Sequence, residues 1–76
     1  MRIVETSNST YEIDEEAKTV TRLPMSRAMR RDAEPISYTA LSPIVVGRPM
    51  EMFLDLRQDG VPTFRQTSTV LRITDT

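Results

Sequence analysis

Three arginines stand close together in one short stretch, Arg27, Arg30 and Arg31, interleaved with Met25 and Met29. The planar guanidinium presents forked N–H donors that match a phosphate or carboxylate, and methionine adapts to irregular apolar surfaces. This composition points to a binding loop for a phosphate-bearing ligand or an acidic protein surface. The plainer reading, which takes precedence, is a solvated loop that pairs with acidic residues of its own or a neighbouring chain.

Covalent chemistry has little to work with. The chain holds no histidine and no cysteine, so the commonest general base, the commonest transition-metal ligand and any thiolate are missing. A Ser or Thr nucleophile would need a lysine or carboxylate as its base, and the one lysine is Lys18, on a presumed surface strand. A carboxylate pair for glycoside hydrolysis needs a cleft that 76 residues hardly form. Asp14, Glu15 and Glu16 could approach a hard cation, but the glycine and ligand spacing of a calcium loop are absent. The expectation is a protein that is not an enzyme, with no metal and no cofactor.

Charge is laid out in two blocks behind a net value of −1. Glu5, Glu12, Asp14, Glu15 and Glu16 face only Arg2 in the first sixteen residues, whereas Lys18, Arg22, Arg27, Arg30 and Arg31 face only Asp32 in the next sixteen. Such asymmetry favours charge-complementary contact, including self-contact, over indiscriminate nucleic-acid binding. A chain this short has a marginal core, and without disulfide or metal the remaining support is a partner copy, so a homo-oligomer is expected. The start, MRIVETSNST, has no apolar run after its basic residue, and no stretch reaches the roughly 18 apolar residues of a membrane span. A cytoplasmic protein without membrane contact is the expectation.

The elements that must carry these groups alternate with a period of two between turn residues. In Met50–Arg57, Met50, Met52, Leu54 and Leu56 share one face, and Glu51, Phe53, Asp55 and Arg57 the other. Gln58-Asp59-Gly60 reads as a turn, with Val61–Thr67 as the returning strand and Thr69–Thr74 as a last strand placing Leu71 and Ile73 together. Arg2–Thr6, Thr10–Asp14 and Lys18–Leu23 are joined by turns at Ser7-Asn8-Ser9 and Asp14-Glu15-Glu16, and Ile36–Leu41 alternates Ile36, Tyr38 and Ala40 against Ser37 and Thr39. Met25–Ala33 reads as a loop with one helical turn between Pro24 and Pro35, and Ser42–Pro49 as a connection bending at Gly47. The whole chain, 1–76, is expected to be one all-β domain: a small SH3-like or OB-like barrel of six or seven short antiparallel strands.

Phe53 breaks the pattern by sharing its face with Glu51 and Asp55. It is read first as the second-face core of a folded-over sheet, and otherwise as an exposed anchor for a partner. The Ile44-Val45-Val46 run either caps the barrel or adds its edge to another chain. Four aromatics, Tyr11, Tyr38, Phe53 and Phe64, are too few and too poorly placed for base stacking, so nucleic acid is disfavoured as a partner.

The stretch Thr6-Ser7-Asn8-Ser9-Thr10-Tyr11-Glu12-Ile13-Asp14 resembles the opening of short β-rich proteins encoded by actinobacterial bacteriophages. Thr21-Arg22-Leu23-Pro24, Gly47-Arg48-Pro49-Met50 and Thr67-Ser68-Thr69-Val70 extend the likeness over most of the chain. The resemblance implies a phage-encoded protein acting in the host cytoplasm and carries no site residue with it. The expected function is a non-enzymatic interaction module, a phage accessory protein that binds and modulates a host protein. Open alternatives are an oligomeric protein that sequesters a small molecule or nucleotide, a virion component, and a nucleic-acid-binding barrel. Candidate binding residues are Arg27, Arg30, Arg31, Met25, Met29 and Phe53.

Overall fold

A ribbon that is apolar on one side is stable in water only when that side is covered, and a short sheet does this by curling onto itself. The computed structural model describes residues 1–24 and 33–75. Its strands are β1 (Arg2–Thr6), β2 (Ser9–Asp14), β3 (Thr19–Pro24), β4 (Ile36–Leu41), β5 (Pro49–Leu54) and β6 (Thr63–Asp75). Each pairs antiparallel with the next, and β6 returns to β1 to close a barrel in chain order. The expected small antiparallel barrel is the fold, connected as an up-and-down meander. No helix occurs among the described residues, and none is therefore long and apolar enough to cross a membrane. The helical turn expected in Met25–Ala33 lies outside the described residues apart from its last position.

The barrel interior is filled by Val4, Tyr11, Ile13, Val20, Ile36, Met50, Met52, Leu54 and Val70, with Leu56, Ile44 and Ile73 packed against them. Each buried aliphatic side chain contributes about 1.5–3 kcal/mol of transfer free energy. The β5 stripe read from the sequence is therefore core. The accessible surface of 4979 Å² is close to the roughly 4,700 Å² that mass scaling gives for a folded monomer of this size.

Turn chemistry follows the residue types. Asp14 Oδ1 accepts from the Glu16 and Ala17 amides at 3.1 and 3.0 Å, closing the β2–β3 turn. Asp59 Oδ1 accepts from Val61 N at 3.0 Å, and Gly60 beside it takes φ +80°. Gly47 takes φ +94° where the 42–48 connection bends, and its amide donates to Val70 O at 2.9 Å.

Three bulges break the alternation, and each relocates a side chain. Between β4 and β5 the pairing steps from Tyr38↔Leu54 to Ala40↔Phe53, which turns Ala40 outward instead of keeping it in phase with Ile36 and Tyr38. Between β6 and β1 it steps from Arg72↔Glu5 to Val70↔Thr6. Leu71 is the extra residue, 58% exposed, while Ile73 packs inward, so the two do not share a face as the alternation alone implies. Between β5 and β6 it steps from Pro49↔Thr69 to Glu51↔Gln66, leaving Met50 N without a backbone partner across the strand. Thr67 Oγ1 accepts that proton at 2.9 Å and donates its own to Ser68 O at 2.7 Å. These kinks let β6 run unbroken through what reads in sequence as two strands.

Thr67→Val keeps the shape of the side chain but strands the buried Met50 amide. The expected cost is about 1–3 kcal/mol, seen as a Tm drop of about 4–8 °C per kcal/mol in a domain of this size. Thr67→Ser should recover most of it in the same thermal melt.

Candidate functional site

The inward-facing positions change character from one end of the barrel to the other. At the end where β1 begins and β2 finishes, a cleft of about 200 Å³ is lined by Met1, Arg2, Ile13, Asp14, Glu15, Glu16 and Asp75. Arg2 Nε bonds Asp75 Oδ1 at 2.9 Å and its Nη1 lies 3.4 Å from Glu15 Oε1. The hydrogen bond to Asp75, with the charge of Glu15 behind it, holds Arg2 above its ordinary pKa. Asp14 is engaged by turn amides, and no group of three or more metal-binding side chains gathers among the described residues. This mouth carries a net negative lining.

At the opposite ends of β1 and β2 the lining reverses sign. Thr6 and Ser9 face inward, followed by Tyr11 on β2, Arg22 opposite it on β3, and Arg65 and Thr67 on β6. Together with Asn8, Gln66 and Ser68 they enclose about 210 Å³, and no carboxylate is among the described residues of the lining. The floor is hydroxyl-rich and buried. Thr6 Oγ1 donates to Ser9 O at 2.9 Å and accepts from Ser9 N at 3.1 Å. Ser9 is 1% exposed, and its own Oγ has no hydrogen-bond partner. Asn8 Nδ2 donates to Ser68 Oγ at the rim. The half-buried Arg65 makes no side-chain hydrogen bond or ion pair among the described residues.

The third feature is on the outside. The β4 bulge brings Ala40 into register with Phe53 of β5, and Phe53 pairs in turn with Phe64 of β6. Phe53 and Phe64 are 42% and 52% exposed, their ring centroids 5.4 Å apart and tilted by 57°. With Leu41, Ser42 and Glu51 they line a depression of about 270 Å³. Glu51 and Asp55 bracket Phe53 on the same outer edge of the chain, and neither is in an ion pair among the described residues. The reading of Phe53 as second-face core is thereby corrected. The sheet curls with its methionine face inward, leaving the phenylalanine face half exposed, and no second layer covers it among the described residues.

A broader groove of about 470 Å³ runs past Arg2, Glu15, Lys18 and Tyr38 to Ile44. Burial pushes the Tyr38 hydroxyl above its ordinary pKa, and the nearby Glu15 and Asp14 add to this. The phenol stays protonated at neutral pH and offers no nucleophile. Val45 and Val46 remain exposed while Ile44 packs on the core.

Of the residues singled out by sequence, Phe53 is on the surface as described, and Arg27, Arg30, Arg31, Met25 and Met29 lie outside the described residues. Arg22, Arg65, Ser9 and Phe64 were missed as site residues. The signal for the arginines was available: each occupies the core phase of an alternating strand, Val20-x-Arg22 and Thr63-x-Arg65-x-Thr67. Comparison with protein-family models, curated proteins and solved structures gives no match.

The two buried hydroxyls separate cleanly by substitution. Thr6→Ala leaves the buried Ser9 amide unpaired and should cost about 1–3 kcal/mol. Ser9→Ala removes an oxygen that bonds nothing in the protein and should leave stability within about 0.5 kcal/mol or raise it. Urea denaturation in phosphate-free buffer measures both.

Proposed function

We propose that the chain is a non-enzymatic interaction module that captures a short protein segment on its outer aromatic face. The single observation that supports this is the row Ala40, Phe53, Phe64, apolar, in register across three strands and uncovered. Exposing two half-open phenylalanine rings costs solubility without contributing to the barrel core, and aromatic side chains are enriched at the cores of protein contacts.

Area decides the size of the partner. A stable protein–protein interface removes about 800 Å² per partner. A phenylalanine buries about 150–250 Å² in all, so two rings roughly half exposed offer a small fraction of that area. The face suits an extended segment with one or two apolar anchors, bound weakly and reversibly. Charge decides its chemistry. Glu51 and Asp55 bracket Phe53 without ion-pair partners among the described residues, which favours lysine or arginine beside the apolar anchor. The same carboxylates repel a phosphate backbone, so the exposed aromatics are poorly placed for nucleic acid. In the phage setting implied by the sequence resemblance, the segment belongs to a host protein.

Selection from a random peptide library displays the preference directly. The wild-type protein should enrich peptides with an aromatic or aliphatic residue next to Lys or Arg, and Phe53→Ser/Phe64→Ser should lose that enrichment. Because neither ring belongs to the core, the double variant should melt as cooperatively as the parent. Enrichment that persists in the double variant, or none with the parent, ends this reading.

A further inference from the structure

We infer that the basic mouth of the barrel is a binding site for a phosphate group. It is a separate site from the aromatic face: Arg65 is inward on β6, while its neighbour Phe64 points out. The open end of a small barrel is a common place for a ligand, and here the chemistry of the lining is selective. Among the described residues that line it, Arg22 and Arg65 supply two positive charges and the others are uncharged.

The groups left to bond a ligand are mostly donors. Thr6 and Thr67 have spent their hydroxyl protons on Ser9 O and Ser68 O. Arg65 has its guanidinium uncommitted among the described residues, Ser68 Oγ accepts from Asn8 and keeps its own proton, and Asn8 keeps a second amide proton. An arginine fork with a hydroxyl and an amide proton beside it matches an oxygen-rich anion and no cation.

The floor supplies an independent reason. A buried hydroxyl with no partner is rare and ordinarily marks a place where water or an ion completes the bonding. Ser9 Oγ is such a group, and Ser9 lines this cleft. At about 210 Å³ the space holds several water-sized groups of about 30 Å³ each, hence a tetrahedral oxyanion with room for a hydration water beneath it.

Alternation explains how the site survives folding. Arg65 lies opposite Met52 across the β5–β6 ladder, and Arg22 lies opposite Tyr11. Each stem can run over an apolar neighbour while its charged head reaches the open end. An arginine one residue out of phase would sit on the outer surface, as Arg72 does where it pairs with Glu5 at 3.4 Å.

Thermal melts with inorganic phosphate, at ionic strength held constant with chloride, test the site. At tenfold over its dissociation constant a ligand shifts the folding equilibrium elevenfold, a Tm rise on the order of 5–10 °C here. The rise should saturate with phosphate and be absent with chloride. Arg65→Gln should melt normally without phosphate and need at least tenfold more of it for the same rise, while Phe53→Ser/Phe64→Ser responds like the parent. A parallel series with adenosine monophosphate identifies the source of the group: tighter binding than inorganic phosphate marks a nucleotide, equal or weaker binding marks the free ion. No saturable rise with either overturns the proposal. So does a salt-labile oligomer, seen by light scattering, that Arg65→Gln dissociates and phosphate does not, because the mouth would then hold the acidic end of another copy.

Discussion

Closure of the barrel depends on one strand doing two jobs. β6 pairs through its first half with β5 and through its second half with β1, and a flat thirteen-residue ribbon could not reach both. The bend is made at Thr67–Leu71, where two bulges sit close together and each would leave backbone groups unpaired in a dry interior. The chain satisfies them locally. Thr67 Oγ1 substitutes for the missing acceptor of Met50 N, and the 42–48 connection folds down so that Gly47 N and Arg48 O bond both sides of Val70 at 2.9 and 3.0 Å. Val70, fully buried, anchors the corner against the core. Without this bend the sheet would keep two open edges and a half-covered apolar face.

The same corner explains what was and was not legible in the residues. Alternation in Met50–Leu56 identified the core stripe, because burial on one side of a regular strand leaves a period of two in the sequence. The Asp14, Asp59-Gly60 and Gly47 turns were legible because each needs a particular side-chain acceptor or a positive φ. Bulges leave no such trace. Leu71 and Ile73 read as partners on one face until an extra residue in β6 turns Leu71 into water, and Ala40 reads as inward until the Thr39 bulge turns it out beside Phe53. A period-two reading carried across a bulge is wrong for every residue beyond it. Whether a second layer lies over Phe53 was likewise beyond local pattern, because a single large ring between Glu51 and Asp55 fits a covered or an open outer face equally well.

Charge behaves differently, since its order along the chain survives folding. The meander keeps neighbouring strands adjacent, so Asp14, Glu15, Glu16 and Asp75 meet at one end, with Arg2 among them. Arg22 and Arg65, distant in sequence, meet at the other because β3 and β6 present them at the same level of the barrel. Asp14, Glu15 and Glu16 of the acidic block thus mark one mouth and Arg22 of the basic block the other, while Lys18 lies beside Glu15 in the groove past Arg2. Strand order alone accounts for half of this. The rest comes from Arg65, which belongs to neither block and reaches the basic end only through its inward phase.

Two departures from the inside-apolar, outside-polar rule stand out, and they run in opposite directions. Phenylalanines occupy the outer face of β5 and β6, and arginines occupy inner positions of β3 and β6. Stability alone would exchange them, since a buried aromatic is worth more than an exposed one and a charge at a barrel mouth must be partly desolvated. Each of Phe53, Phe64, Arg22 and Arg65 has a direct partner in the ladder, so none is the extra residue of a bulge. The chain follows local rules in its turns, its core stripe and its corner and breaks them at these two places, which is why the two proposed sites are put there. The breaks also differ in kind: one places apolar rings beside Glu51 and Asp55, the other places two arginines among hydroxyls and amides with no carboxylate among the described lining residues. The two surfaces therefore suit different kinds of group, an apolar one beside a cation on the outside and an anion at the mouth.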